Sequence, residues 1–408
     1  MKKLLHFIVT IAALLVHVQA QDTAIDEQDA PEPYVPPPVK YTDNFHILHD
    51  ELTQPHTGIT RTYYIAVDEV VWDYLPDGND TIFNTSINDS PAKSWISKCK
   101  LSIICNYVDS EAHIYLVVAS TTIGARYHKA LYREYTDDSY RVLKPRPHWQ
   151  GLMGPVLRGE VGDTLEIHFW NRASYNFSMH PHGVLYEFEM EGAVYKGTSN
   201  TAFVRPGEKY TYRWEIYPRA GPGPSDGNSL VWGYHSHVTE NDIYAGLYGA
   251  IIVYKPGTLT EDSVKDEIVT SLFASNENLS PYLDRTMAEL APQLDLQAIQ
   301  ENRMAFRHSN NKQSINGLMF SAPRDLIIPT SKTIQWHLLG WGSMMDLQDI
   351  RWEHGAVTLF DKPVSHIRLY PATFRTVQVK ADQKGDYQFG FINGQPGIRG
   401  MIMRYKVV

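Results

Sequence analysis

Thr164-Leu165-Glu166-Ile167-His168-Phe169 alternates apolar and polar side chains with a period of two, the pattern of a half-buried β-strand. On either side the reading repeats. Tyr63 to Trp72, Tyr210 to Trp214 and Ala250 to Tyr254 are short and aromatic or β-branched, and turn residues bound them at Pro76-Asp77-Gly78, Pro206-Gly207 and Pro256-Gly257. Beyond residue 257 the strand signals are Ile268 to Phe273, Thr333 to Leu338, Val357 to Phe360, Thr376 to Val379 and Tyr387 to Phe391. One helical insertion, Thr286 to Arg303, is expected on the surface among them. Short strands between turns predict an all-β protein of sandwich or Greek-key barrel type. A chain of 408 residues exceeds one ordinary domain. The late strand Gly249 to Tyr254 recurs as Gly400 to Tyr405, so two similar tandem units are expected, 61–257 and 258–408.

The chain ends of these units carry other information. Lys2 and Lys3 precede an apolar stretch from Leu4 to Val18 that closes on Val18-Gln19-Ala20, the form of a secretory signal peptide over residues 1–20. Its removal takes away two lysines and no acid, moving the formal charge from −9 to −11. An acidic, secreted protein is expected, with nucleic acid excluded as a partner. No later apolar run reaches the roughly 20 residues that span a bilayer, so no membrane anchor is expected. Residues 21–60 are acidic and proline-rich and read as an extended N-terminal segment. Three glycosylation sequons, at Asn79, Asn84 and Asn88, mark an exposed insertion over about residues 77–115. The two cysteines, Cys99 and Cys105, lie in that insertion; in an oxidising compartment a local disulfide is expected, with a metal site as the alternative.

The residues with the clearest chemistry are two histidine pairs, His180-Pro181-His182 and His235-Ser236-His237. Side chains two apart on a strand share a face, so each pair offers two imidazoles to one ion or to adjacent ions. Imidazole suits copper, zinc, iron and nickel. The ordinary alternative is four histidines that hydrogen-bond structurally at a domain face.

Several runs resemble a known family in order along the chain. Tyr63 to Tyr74, Lys129-Ala130-Leu131-Tyr132-Arg133-Glu134-Tyr135-Thr136-Asp137 and Gly151-Leu152-Met153-Gly154-Pro155 are similar to the opening cupredoxin domain of the ceruloplasmin and hephaestin family. Clotting factors V and VIII share that architecture. The two histidine pairs, Gly246-Leu247-Tyr248-Gly249 and Leu369-Tyr370-Pro371-Ala372-Thr373 extend the match. The resemblance implies two tandem cupredoxin-like domains and a three-copper cluster held by eight histidines. His180 would hold the type 2 copper, and His182, His235 and His237 the type 3 pair. The donor half departs from the family pattern. Asp349-Ile350-Arg351-Trp352-Glu353-His354-Gly355 keeps one histidine of an expected three, and Phe391 stands where the type 1 thiolate belongs, leaving Met401 as a core methionine.

The resemblance therefore implies a secreted copper-binding protein with half of a trinuclear site and no independent oxidase turnover. The alternatives are a ferroxidase-type multicopper oxidase subunit completed by a second cupredoxin chain, and a metal-independent extracellular scaffold. The chain reads as a shortened relative or as a fragment of a longer protein. Glu277 falls where relatives place an acidic residue near an iron-holding site, with a solvated loop glutamate as the ordinary reading. His354 is expected to be structural, and His337 and His366 to lie at the surface or in hydrogen bonds. The residues give no reading on calcium.

Overall fold

In the computed structural model, which describes residues 58–96, 102–104, 115–117, 121–195, 203–321, 326–330, 332–343, 346–391 and 400–408, the alternating segments pair into two sandwiches. The first uses β1 (Thr60–Asp73), a separate antiparallel pair β2 (Ser102–Ile104) and β3 (Tyr115–Val117), β4 (Arg126–Tyr135), β5 (Val156–Glu160), β6 (Thr164–Asn171), β7 (His180–Pro181), β8 (Lys209–Glu215), β9 (Ser229–His235) and β10 (Tyr248–Tyr254). Its sheets run β4-β1-β6-β8 and β5-β10-β9-β7. The second uses β11 (Glu267–Asn276), β12 (Asn311–Ile315), β13 (Ile327–Ile328), β14 (Thr333–Trp341), β15 (Gln348–Trp352), β16 (Ala356–Leu359), β17 (Lys362–Pro363), β18 (Ile367–Leu369), β19 (Thr373–Lys380), β20 (Gly385–Gly390) and β21 (Ile402–Val407). Its sheets run β12-β11-β14-β19-β16-β17 and β13-β21-β20-β15-β18. Both sandwiches lie in one unit, Gln54–Val408.

The two halves pair their strands in the same way. β1 is antiparallel to β4 and parallel to β6, just as β11 is antiparallel to β12 and parallel to β14. β10 is parallel to β5 and antiparallel to β9, as β21 is to β13 and β20. The recurring late strand of the sequence therefore falls on β10 and β21, which hold equivalent places.

Alternation becomes burial on β6, where Leu165, Ile167 and Phe169 point into the first core and their polar neighbours point out. β10 is buried at every position because both of its faces are covered. Ile251 and Val253 join the first core, while Tyr248, Ala250, Ile252 and Tyr254 pack with Val269, Phe273, Leu339 and Trp341 of the second sandwich. That second face is the seam between the sandwiches. Polar groups are buried in it too. Glu267 accepts from Arg158 and from the Tyr254 hydroxyl, and His337, fully buried, bonds Thr376 Oγ1 through Nδ1 at 2.9 Å. His337 Nε2 stands 3.8 Å from Glu267, and burial, then the Arg158 charge, pull its pKa down to about 3.

Three expectations need correction. The helical insertion is three short helices, Leu283–Leu290, Leu296–Glu301 and Arg303–Ser309, and it is not a surface appendage. Ile299 and Phe306 pack with Ile82, Ala92 and Trp95 of the glycosylation-motif insertion, closing a third hydrophobic cluster. Asn79, Asn84 and Asn88 remain exposed around it, while Cys99 and Cys105 lie outside the described residues. Lys312 ties the same region together from within: its buried ammonium donates to the carbonyls of Trp95, Gly124 and Ser309 at 2.6, 2.9 and 2.8 Å and lies 5.1 Å from the centre of the Tyr127 ring. Glu277 is not a solvated loop residue. It is fully buried, 2.5 Å from Lys129 Nζ, and also accepts from Tyr74 and Ser275. Finally, His337 is not at the surface, although it is hydrogen-bonded as the alternative required.

Two outcomes follow from these buried charges. Because His337 binds a proton near pH 6.5 when unfolded but only near pH 3 when folded, the unfolded chain holds more protons between those values, so stability falls as pH drops from about 6.5 toward 3. Denaturant midpoints between pH 7 and 5 are expected to slope less in His337→Gln than in the parent chain. Lys129→Met leaves the Glu277 carboxylate buried without its cation, and a loss of about 3–5 kcal/mol is expected in urea unfolding. Adding Glu277→Gln to that variant is expected to restore a large part of it.

Candidate metal centre

Register places the histidines. β7 pairs antiparallel with β9 so that His180 stands opposite His235 and Pro181 opposite Tyr234. The backbone continues the contact, with His182 N–H donating to Gly233 O at 2.9 Å. Gly183 then turns the chain at φ +77°, where a Cβ would lie within 2.0–2.5 Å of the Trp232 ring, so only glycine fits. His182 and His237 extend from the two strand ends, and the four half-buried rings gather there. Ring centres are 5.2 Å apart for His180 and His182, 5.0 Å for His180 and His237, and 5.4 Å for His235 and His237. His182 and His235 stack at 22°, with their Nε2 atoms 3.1 Å apart.

The rings are held from behind. His180 Nδ1 bonds the Glu191 carbonyl and His235 Nδ1 the Ser236 carbonyl, each at 2.8 Å, so each Nε2 carries the lone pair that can ligate an ion; that of His235 is within hydrogen-bond reach of His182 Nε2. Candidate donor nitrogens of His180, His182 and His235 lie within 4.8 Å of one another; His237 adjoins this trio without entering it at that distance. Two nitrogens on one tetrahedral zinc- or copper-sized ion stand about 3.3 Å apart, close to the His182–His235 separation. Burial, ahead of the mutual repulsion of the rings, lowers the pKa of His182 to about 4 and that of His235 well below its ordinary value. Burial lowers that of His180 as well. At His180, His182 and His235 these shifts favour the neutral imidazole, the form that ligates metal. The residues fit a copper or zinc ion.

Sequence reasoning missed what supports them. Ser236, the middle residue of its pair, faces the opposite way from the histidines and donates to Asp242 Oδ2 at 2.6 Å; its hydroxyl also accepts from Ser178 N–H. Ser178 Oγ in turn accepts from His237 N–H at 3.0 Å. All three polar side chains are buried. The signal was present in the period of the strand, since a residue between two outward histidines points inward and a serine there needs a partner. Two further neighbours come from the second sandwich. Trp341 of β14 lies 5.6 Å from the His235 ring, and Phe374 of β19 lies 5.3 Å from the His182 ring. They approach because Gly233 of β9 has no side chain; a Cβ there would meet both rings at 2.6–2.7 Å.

The donor half carries no comparable set among the described residues. His354 stacks on Tyr387 at 4.5 Å and bonds Asp382, a structural role. His366 is near Asp349 and Ser365 on an exposed edge. Met401 is fully buried in the second core. Phe391 donates its N–H to Met401 O, and the residues between them, 392–399, lie outside the described ones. Glu277 faces Lys129 and is distant in role from the histidine group.

Comparison with known proteins agrees with this geometry. Residues 150–258, which contain all four histidines, match the multicopper oxidase family. The chain is 33% identical over 361 residues to ferroxidase HEPHL1 of Mus musculus, covering 86% of this chain and 29% of that protein. It is 33% identical to hephaestin of Mus musculus (88% and 30% covered) and 31% identical to ceruloplasmin of Homo sapiens (82% and 30% covered). The chain thus spans about three tenths of the length of these relatives. A multicopper oxidase crystal structure superposes with a TM-score of 0.52 at 15% identity, covering 86% of this chain and 89% of that one, and so supports the fold. Residues 150–258 are a multicopper oxidase domain, and the chain around them, built from cupredoxin-like β-sandwiches, is similar to hephaestin and ceruloplasmin over more than four fifths of its length.

Proposed function

We propose that this chain is a secreted, glycosylated copper-binding protein that holds one ion or more through His180, His182, His235 and His237 and does not turn over alone as an oxidase. The carrying observation is the His182–His235 Nε2 separation of 3.1 Å, with the His180 and His235 rings each anchored through Nδ1 to a backbone carbonyl. Copper bound there would supply a redox-active, Lewis-acidic centre. The chain's own contribution is to fix the tautomers of His180 and His235, to favour the neutral form of His180, His182 and His235 by burial, and to shield one side with Trp341 and Phe374. The leader over residues 1–20 and the exposed asparagines 79, 84 and 88 support the secretory setting.

Elemental analysis of the protein taken from its secreted setting is expected to give about one copper per chain, and none would overturn the reading. His235→Ala is expected to weaken copper binding by more than the roughly 10–100-fold that loss of a supporting hydrogen bond causes. Copper(II) is expected to quench tryptophan fluorescence in the parent chain, and part of that response should vanish in Trp341→Phe, whose indole lies 5.6 Å from the His235 ring.

A second reading is a ferroxidase-type subunit completed by another cupredoxin domain or chain. Two observations favour it: the rings are half-buried, so one side stays accessible, and Leu185, Phe188, Val194 and Tyr195 stand exposed on the adjoining loop. An apolar rim of this kind suits a protein partner. Oxygen uptake with ferrous iron separates the two. The pure chain is expected to match the protein-free control, because Phe391 stands where the electron-accepting thiolate belongs. About three coppers per assembly together with iron-dependent oxygen uptake in a partner complex would make the second reading the right one.

A further inference from the structure

On one flank of the first sandwich, residues of the edge strands β4 and β5 line a common cleft, and residues 142–144 hydrogen-bond alongside β4 at Glu134 and Thr136. A cleft of about 340 Å³ lies there, with the segment from Leu143 to Gln150 crossing it. The size is that of a small-molecule site. Its lining mixes apolar Leu143, Pro145, Trp149 and Val156 with four cations, Arg133, Lys144, Arg146 and Arg158, and one acid, Glu134, in a chain whose formal charge is −9.

Two of those cations are already neutralised. Lys144 pairs with Glu134 at 2.5 Å, and Arg158 is held by Glu267. The other two are not. Arg133 has Asp68 as its only carboxylate neighbour among the described residues, at 3.9 Å, beyond hydrogen-bond reach, and Asp68 is already engaged by Arg172 and the Tyr135 hydroxyl. Arg146 donates only to the carbonyls of Met153 and Gly151 and has no carboxylate partner among the described residues. Burial, followed by the like charge of Arg133, lowers the Arg146 pKa, so the two guanidiniums sense each other. Like charges in a partly enclosed cleft repel until an anion joins them, and a carboxylate matches guanidinium geometry well.

We propose that this cleft binds a small aryl carboxylate, with the carboxylate between Arg133 and Arg146 and the ring against Trp149 and Pro145. The site is separate from the histidine group and does not rest on copper binding. Calorimetric titration of the whole secreted chain with benzoate, benzamide and inorganic phosphate tests it. Benzoate is expected to bind, and benzamide, which keeps the shape without the charge, at least about 10-fold more weakly. Arg133 bonds no backbone group among the described residues, so Arg133→Gln is expected to melt with the parent chain while losing at least about 10-fold in benzoate affinity. Leu143→Asp, an exposed change at the cleft wall, is expected to weaken benzoate in the same direction by repulsion. Absence of benzoate binding at millimolar concentration, equal binding of benzamide, or unchanged affinity in Arg133→Gln would overturn the proposal. Phosphate binding tighter than benzoate would also overturn it, in favour of a general anion site.

Discussion

The antiparallel register between β7 and β9 is the constraint on which the metal centre depends. One residue of slip in that pairing would turn each histidine to the other face and bring Pro181 and Tyr234 outward. The register is defended on several sides. Tyr234 is buried in the first core with its hydroxyl on Pro155 O, and Gly249 of β10 leaves room for its ring. The bond from His182 N–H to Gly233 O carries the pairing one step past the strand end. Beyond it, the Ser178–Ser236–Asp242 tie locks the two strand ends together. These bonds are buried, where an unmade one is costly, so alternatives to this arrangement are strongly disfavoured.

The seam between the sandwiches has a second effect on that centre. β9 lies against β14 and β19, and what those strands present at Gly233 is indole and phenyl, not imidazole. The second sandwich therefore acts as a wall to the histidine group and contributes no ligand among the described residues. Its polar contacts with the first, Arg158 to Glu267 and Tyr254 to Glu267, fix how the wall meets the strand, since a charge pair at low exposure tolerates little displacement.

Much of the fold was legible because its signals are local. The alternation of Thr164 to Phe169 and of Thr333 to Leu338 maps directly onto β6 and β14, and the recurring late strand onto β10 and β21. The histidine group was legible for the same reason, as two H-x-H pairs on strands. What escaped depends on distant partners. β7 is two residues long and exists only through β9. The burial of Glu277 is set by a lysine 148 positions away, so a loop-like local sequence concealed it. Trp341 and Phe374 read as ordinary core aromatics until the seam brings them to the rings. The helical insertion looked superficial because its apolar residues, Ile299 and Phe306, meet partners from the 77–96 region and not from their own half.

The ammonium of Lys312 bridges carbonyls at Trp95 and Gly124, the two ends of the stretch that carries both cysteines. A clamp at the base of a loop holds its ends at a fixed span whatever lies between them. Lengthening such a loop is cheap, since each doubling adds only about 0.6 kcal/mol of closure entropy. An insertion between those two carbonyls is accordingly expected to leave the strands that carry the histidines at their present spacing.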